Sequence, residues 1–241
     1  MAATVISRKL NGLGRRLADL WWRARWARRP FSDYQRAEMN RRAGVDAQKA
    51  VGGLWEEMGT LQLQLLKEHG LKPSDRVLDI GCGSLRGGVK IIDYLAPGNY
   101  CGTDIAEDLL EAGRRSLENA GLDSKSPHLL QVKDFKFAEL EGEQFDYLLI
   151  FGVFTDVPPE SIDECFQHMP QLLTERGAAL VTFGRSQELR SDHRMIRFQQ
   201  PLEFYTDLGT RSGLAVEVVD GFSFRHPKGH SLLLVKRGPS R

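Results

Sequence analysis

The residues best suited to bind a ligand lie together in VLDIGCGSLRGG, residues 77–88. A run of strand-forming residues holds the acid Asp79 and then breaks into a turn rich in glycine. Such a turn after a buried strand lets the backbone come close to a ligand. Gly81, Gly83 and Gly87 give G-x-G-x-x-x-G, one residue longer than the dinucleotide fingerprint. The turn therefore predicts a small-molecule site without naming its ligand.

The carboxylate of Asp79 narrows the choice of ligand. It stands two residues before Gly81, at the mouth of the predicted site. A negative charge there would repel a pyrophosphate and would suit a cationic ligand. The alternative is that Asp79 caps the turn by accepting backbone N–H groups. Both roles are compatible with the sequence.

The elements that must position this turn alternate along the chain. We predict strands over residues 75–81, 99–105, 128–134, 145–153, 178–184, 214–220 and 230–237 and helices over 54–70, 85–96, 107–121, 159–177 and near 201–211. Strands separated by helices indicate an α/β fold, a mostly parallel doubly wound sheet with helices on both faces. The connection between the last two strands is too short for a crossover helix, so they should pair antiparallel at the sheet edge.

The N-terminal part has a different composition. Residues 1–42 hold eleven Lys/Arg against three Asp/Glu, a net charge of +8, which leaves −7 for residues 43–241. Apolar residues recur at helical spacing within residues 5–29, with arginines on the other face, as in helices that lie on anionic membranes. Docking on the domain or on a second copy, a disordered arm, and an Arg-rich mitochondrial presequence are the alternatives. We predict a basic helical arm and linker over residues 1–53 and one domain over 54–241.

The cysteines and the hydropathy of the chain argue against several classes of protein. The three cysteines have no C-x-x-C spacing, which argues against a disulfide framework and a zinc site. We predict a cytoplasmic protein, or one associated with a membrane surface through its arm. The scattered cysteines suit a reducing compartment, no stretch is apolar enough to span a bilayer, and arginines interrupt the apolar core that a signal peptide needs. Nucleic acid is an unfavoured partner, since no RNA-binding module is recognised.

VLDIGCGSLRGG followed by YCGTDI resembles motifs I and II of the class I S-adenosylmethionine-dependent methyltransferases. The resemblance runs from about Trp55 to the C-terminus, and FGVFTDVPPE is similar to the small-molecule branch of that superfamily. It implies a Rossmann-like seven-stranded sheet with an antiparallel last strand. It also implies S-adenosylmethionine as the cofactor.

The resemblance assigns roles to individual residues. Gly81, Cys82 and Gly83 would approach the methionine portion and Asp79 its amino-acid end, while Asp104 would accept both ribose hydroxyls. Asp134 would take the adenine amine, the Phe135 N–H would meet a ring nitrogen, and Ile105 would pack on the adenine. Phe151 and Gly152 would form the floor. The alternatives are that Asp104 is a surface acid capping the next helix and that Phe135 is a core residue.

Two residues have no settled role. Arg86 stands where many members of the superfamily have a small or apolar residue. It would pair with the carboxylate of the ligand, point to solvent or bridge to Asp79. Asp156 stands where related sequences often carry histidine. It would act as a catalytic base or orienting group, or would cap the following helix.

The acceptor is defined only by class. We predict transfer of a methyl group to an O or N atom of a small-molecule or lipid-linked acceptor by in-line displacement. Four arginines and a histidine in the loop 185–201 would suit an anionic acceptor or would simply be solvated: Arg185, Arg190, His193, Arg194 and Arg197. The Asn/Asp-Pro-Pro-aromatic turn of enzymes that methylate nucleobases or glutamine is absent. A non-catalytic cofactor-binding protein and an aminopropyl transferase are the alternatives.

Overall fold

A computed structural model describes residues 29–184, 190–192, 197–219 and 229–238. Residues 5–28 of the predicted membrane-binding segment 5–29 and most of the charged loop lie outside these ranges. Among the described residues, no helix combines the length and the hydropathy that crossing a membrane would require.

The chain folds around a seven-stranded sheet. Its strands are β1 Val77–Ile80, β2 Tyr100–Asp104, β3 His128–Gln131, β4 Phe145–Ile150, β5 Leu173–Phe183, β8 Leu214–Val218 and β9 Ser231–Arg237. Two further strands, β6 Arg190–Asp192 and β7 Arg197–Gln199, form a separate hairpin. The helices are α1 Phe31–Ala50, α2 Trp55–Glu68, α3 Gly88–Tyr94, α4 Glu107–Ala120, α5 Pro159–Leu172 and α6 Leu202–Arg211, with short 3-10 helices at Asp123–Lys125 and Ala138–Leu140.

The strand order is β3-β2-β1-β4-β5-β9-β8. Strands β1 to β5 pair in parallel, and β9 pairs antiparallel with both β5 and β8. The prediction of a doubly wound sheet whose last two strands pair antiparallel is therefore confirmed. The chain reverses its direction of progress between β1 and β4, and ligands of open α/β sheets bind at such a reversal.

Buried side chains fill both faces of the sheet because successive residues of a strand point to opposite sides. Leu148 and Ile150 of β4 join a core with α5 and α6, whereas Leu149 between them joins a core with α2, α3 and α4. The predicted placement of helices on both faces is confirmed. The two cores hold β1 and β4 in place, and the predicted ligand site lies at the carboxyl ends of these strands.

Three parts of the secondary structure differ from the prediction. Helix α1 occupies residues that we predicted only as arm and linker, and the β6–β7 hairpin lies within the predicted charged loop. Helix α5 ends at Leu172 rather than at residue 177. Leu173 takes an extended conformation and pairs with Phe145 of β4, where both side chains are buried, so the helix gives way directly to β5.

Candidate active site

A cavity of about 820 Å³ opens at the carboxyl ends of β1, β2 and β4. This volume lies within the range of small-molecule sites. The cavity brings together every residue that we singled out as a cofactor-binding or catalytic candidate: Asp79, Gly81, Cys82, Gly83, Arg86, Asp104, Ile105, Asp134, Phe135, Phe151, Gly152 and Asp156. The structure therefore gathers these residues, while their roles remain predictions.

The glycine turn has the backbone shape that glycine makes accessible. Gly81 and Gly83 have φ angles of 75° and 57°, in the left-handed region. A Cβ atom at Gly81 would collide with the side chain of Val153, and one at Gly83 would collide with Val51. The N–H groups of Gly81 and Cys82 both donate to the carbonyl oxygen of Thr103, at 2.7 and 3.0 Å. Glycine is thus required here by conformation and by space.

Asp79 is a buried carboxyl group at the base of this turn. The Tyr100 hydroxyl donates to its Oδ2 at 2.7 Å. Burial raises the pKa of Asp79 to about 7, against the lowering effect of that hydrogen bond; the charge of Asp104 raises it further and that of Arg86 lowers it. No backbone N–H of the described chain donates to Asp79, so the alternative that it caps the turn is wrong.

Asp104 supplies the cap instead. Its Oδ2 accepts the Gly83 N–H and its Oδ1 accepts the Ala106 N–H, both at 2.9 Å. Burial raises the pKa of Asp104 to about 6, although its backbone hydrogen bonds act in the opposite direction. The residue is buried, so it is not the surface acid of the alternative reading. A carboxylate has about four lone-pair sites, which leaves acceptor capacity for ligand hydroxyls.

At the end of the cavity where we expect adenine, the observed hydrogen bonds differ from the predicted ones. The Phe135 N–H, which we assigned to an adenine nitrogen, donates to Oε2 of Glu164 at 3.0 Å. Asp134 is exposed, and its Oδ1 accepts the Lys136 N–H at 3.0 Å. Phe135 is half-buried and its ring packs edge-on against Phe137, so it also belongs to the core. Glu164 was missed because it lies on α5, far along the chain from the motifs.

Arg86 is neither exposed nor paired with Asp79. Its Nη1 donates to the carbonyl oxygens of Val51 and Gly53, at 2.6 and 3.0 Å. Ion pairing with Asp79 would need a separation within 4 Å, and the described part of the chain contains no such pair. The expectations of a solvent-facing side chain and of a bridge to Asp79 are therefore wrong. Arg86 instead ties the glycine turn to the segment that follows α1.

Asp156 lies on the exposed rim of the cavity, in the loop before α5. Helix α5 begins at Pro159, three residues after Asp156. The role of Asp156 as a base or orienting group and the alternative that it caps this helix both stay predictions. The Asp156 backbone carbonyl accepts a long hydrogen bond, 3.4 Å, from Nε2 of Gln35 on α1.

Helix α1 forms the wall opposite the glycine turn. Besides the Gln35 contact, Asn40 Oδ1 accepts the Asp108 N–H at 3.2 Å, and the Ala47 carbonyl oxygen accepts the Ser84 hydroxyl at 3.2 Å. These contacts run from the β4 loop past the start of α4 to the glycine turn. The helix therefore lies along the carboxyl edge of the sheet, over the cavity.

Sequence reasoning missed this wall. The cavity-facing residues of α1 include Phe31, Tyr34, Gln35, Glu38, Arg41 and Arg42. Glu38 is buried and accepts hydrogen bonds from both arginines; burial acts to raise its pKa, but the arginines outweigh it and the pKa is lowered. The spacing of these residues is helical. A helix could have been predicted from this spacing, but the residues at these positions are polar and aromatic and do not form an apolar stripe.

The comparisons with known proteins agree with this geometry. Residues 78–179 match the family model described as a methyltransferase domain. An uncharacterized protein of Rickettsia prowazekii (strain Madrid E) is 27% identical over 125 residues, which are 49% of this chain and 48% of that protein. This chain thus spans about half the length of that curated relative.

Solved structures share the fold at low sequence identity. Magnesium protoporphyrin IX methyltransferase from Synechocystis PCC 6803, with bound S-adenosylmethionine, superimposes with a TM-score of 0.66 at 16% identity, over 88% of this chain and 99% of that one. The glycopeptide N-methyltransferase MtfA, complexed with S-adenosylmethionine, gives 0.60 at 15% identity, over 74% and 94%. Residues 78–179 therefore match a methyltransferase domain, and the chain shares the fold of these solved methyltransferases, which is the fold that its motifs predict.

Proposed function

We propose that this protein binds S-adenosylmethionine and transfers its methyl group to an O or N atom of a small-molecule or lipid-linked acceptor. The observation that carries the proposal is the pairing of the left-handed Gly81–Gly83 turn with two buried acids, Asp79 and Asp104, in one cavity. Solved methyltransferases of the same fold contain this cofactor.

The residues present fit such a cofactor. Its ammonium and sulfonium groups are cations, which suit the carboxylate of Asp79. Asp104 retains lone pairs for the ribose hydroxyls after accepting two backbone N–H groups. The close approach to Gly81 and Gly83 suits a ligand that lies flat on the turn. Phe151 and Gly152, directly after β4, would support it from below.

When bound, S-adenosylmethionine supplies an electrophilic methyl group on a positively charged sulfur atom. The residues of this chain would then act mainly by position, because alignment of two reactants supplies much of the rate of such a displacement. Asp156 on the cavity rim would orient the acceptor or take its proton. The wall formed by α1 would exclude water and contact the acceptor.

Binding and transfer can be tested separately. Calorimetry should detect S-adenosylmethionine and S-adenosylhomocysteine but not NAD, and tight NAD binding would overturn the cofactor assignment. Incubation with methyl-tritiated S-adenosylmethionine and a fractionated cell extract should then place label in small-molecule or lipid fractions. Cofactor binding without any transfer would indicate the non-catalytic alternative, and label only in RNA or protein would exclude the proposed acceptor class.

We also propose that residues 5–29 bring the protein to an anionic membrane surface. The support is the net charge of +8 over residues 1–42 and the helical spacing of apolar residues. Sedimentation with anionic vesicles should carry down the full chain and leave a variant that lacks residues 1–28 in solution. Equal sedimentation of both proteins would contradict the proposal.

A further inference from the structure

The guanidinium group of Arg86 has acceptors for only part of its N–H groups. The side chain is 9% exposed and lines the cavity. Both N–H groups of Nη1 are used, by the carbonyls of Val51 and Gly53. Nε is buried without an acceptor, and Nη2 has no acceptor among the described residues.

The free edge of the guanidinium therefore consists of Nε and Nη2. These two nitrogens donate in parallel, which is the geometry that a carboxylate accepts as a bidentate pair. A buried arginine charge with unsatisfied donors is costly, and burial lowers the pKa of Arg86 despite the opposing charge of Asp79. An incoming anion would complete its hydrogen bonds and balance its charge.

The same guanidinium also holds the end of α1. The two carbonyls that it binds belong to residues 51–53, directly after this helix, and Val51 packs against Gly83 of the turn. Because Nε is sealed from solvent, a ligand reaches it only if the surrounding wall shifts. If the guanidinium moves toward a ligand and keeps its hydrogen bonds to Val51 and Gly53, the end of α1 moves with it.

We propose that Arg86 binds the α-carboxylate of the cofactor and, through Val51 and Gly53, couples cofactor binding to the ordering of the C-terminal end of α1. The inference rests on the proposed cofactor. It makes Arg86 a specificity-determining residue for a cofactor with an intact amino-acid group. It also predicts that the cofactor binds before the acceptor, since the ordering of α1 makes the acceptor wall rigid.

The first test compares S-adenosylhomocysteine with its decarboxylated analogue, 5′-(3-aminopropylthio)-5′-deoxyadenosine, by calorimetry. The wild-type protein should prefer the intact ligand by roughly 10- to 100-fold, as expected for charged hydrogen bonds. In Arg86→Met the preference should fall to a few-fold. Arg115→Met, which removes an exposed arginine of α4, should keep the full preference.

The second test follows α1 directly. Hydrogen exchange of peptides covering residues 47–54 should slow when wild-type protein binds S-adenosylhomocysteine. It should change little with the decarboxylated analogue, or in Arg86→Met at saturating ligand. The wild-type comparison alone decides the matter if the variant fails to fold.

The outcomes separate the two proposals. Equal affinity of the wild-type protein for both ligands would overturn the role of Arg86 and leave the proposed cofactor in place. Preference without slowed exchange in 47–54 would overturn the coupling to α1. If neither ligand binds, the proposed function fails and the inference fails with it.

Discussion

Replacing Asp79 with asparagine should stabilise the protein without cofactor at neutral and higher pH. Burial raises the pKa of Asp79 from 3.8 to about 7. As pH rises above 3.8 the unfolded chain releases this proton, whereas the folded chain keeps it until about pH 7. Stability is therefore lost progressively across this window and levels off above it.

The size of the effect follows from the shift. At 1.36 kcal/mol per pKa unit, ionising Asp79 in the folded protein costs roughly 4 kcal/mol at pH 8. Asparagine keeps the shape and an oxygen that can accept the Tyr100 hydroxyl, but its amide group needs a new acceptor. We expect Asp79→Asn to be more stable than wild type at pH 8 by about 1–4 kcal/mol, and by much less at pH 4.

Urea unfolding of both proteins, without cofactor, at several pH values between 4 and 8 measures this difference. Asp93→Asn, which changes an exposed acid on α3, is the matched control and should show no pH-dependent gain. A difference between Asp79→Asn and wild type that stays constant from pH 4 to 8 would refute the reasoning. The stabilised variant should bind S-adenosylhomocysteine more weakly than wild type at pH 8, because the ligand's ammonium group loses its counter-charge.

Three further outcomes follow from the site. Tyr100→Phe removes the hydroxyl 2.7 Å from Asp79, so the pKa of Asp79 should rise by about one unit. Calorimetry of ligand binding in buffers of different ionisation enthalpy would detect the altered proton release. An unchanged proton release would contradict this prediction. Asp104→Asn should weaken cofactor binding by about 1.5–3 kcal/mol, as measured by calorimetry, while the control Asp108→Asn has little effect. If Asp104→Asn binds the cofactor as tightly as wild type does, Asp104 does not bind the ribose. Alkylation of the three cysteines at pH 8 should be slow in the native protein and fast in urea. Burial raises the pKa of all three thiols, that of Cys101 to about 12. Fast labelling of the native protein would show that the thiols are not buried.

The parts of the fold that the sequence predicts are those with a local signal. Strand β1 and its turn follow from hydrophobic residues that end in glycines, and the antiparallel pairing of β8 with β9 follows from the short connection between them. Gly81 and Asp104 could be placed in one cavity because parallel strands end at the same edge of the sheet.

The unpredicted parts depend on contacts between distant segments. Phe135 and Glu164 meet although 29 positions separate them, and Arg86 binds carbonyls 33 and 35 positions earlier in the chain. Helix α1 lacks an apolar stripe because it faces a polar cavity through Glu38 and the arginines beside it. No periodicity rule based on hydrophobic burial finds such a helix.

The cavity is lined mainly by two separate segments of the chain. Residues 78–179 match the methyltransferase family and supply the glycine turn with its two acids, whereas α1 lies outside that match and supplies the opposite wall. Exchange of residues 31–50 would therefore alter one half of the chamber and keep the other intact. In evolution or in engineering, a new wall can be tried on this scaffold without rebuilding the sheet beneath it.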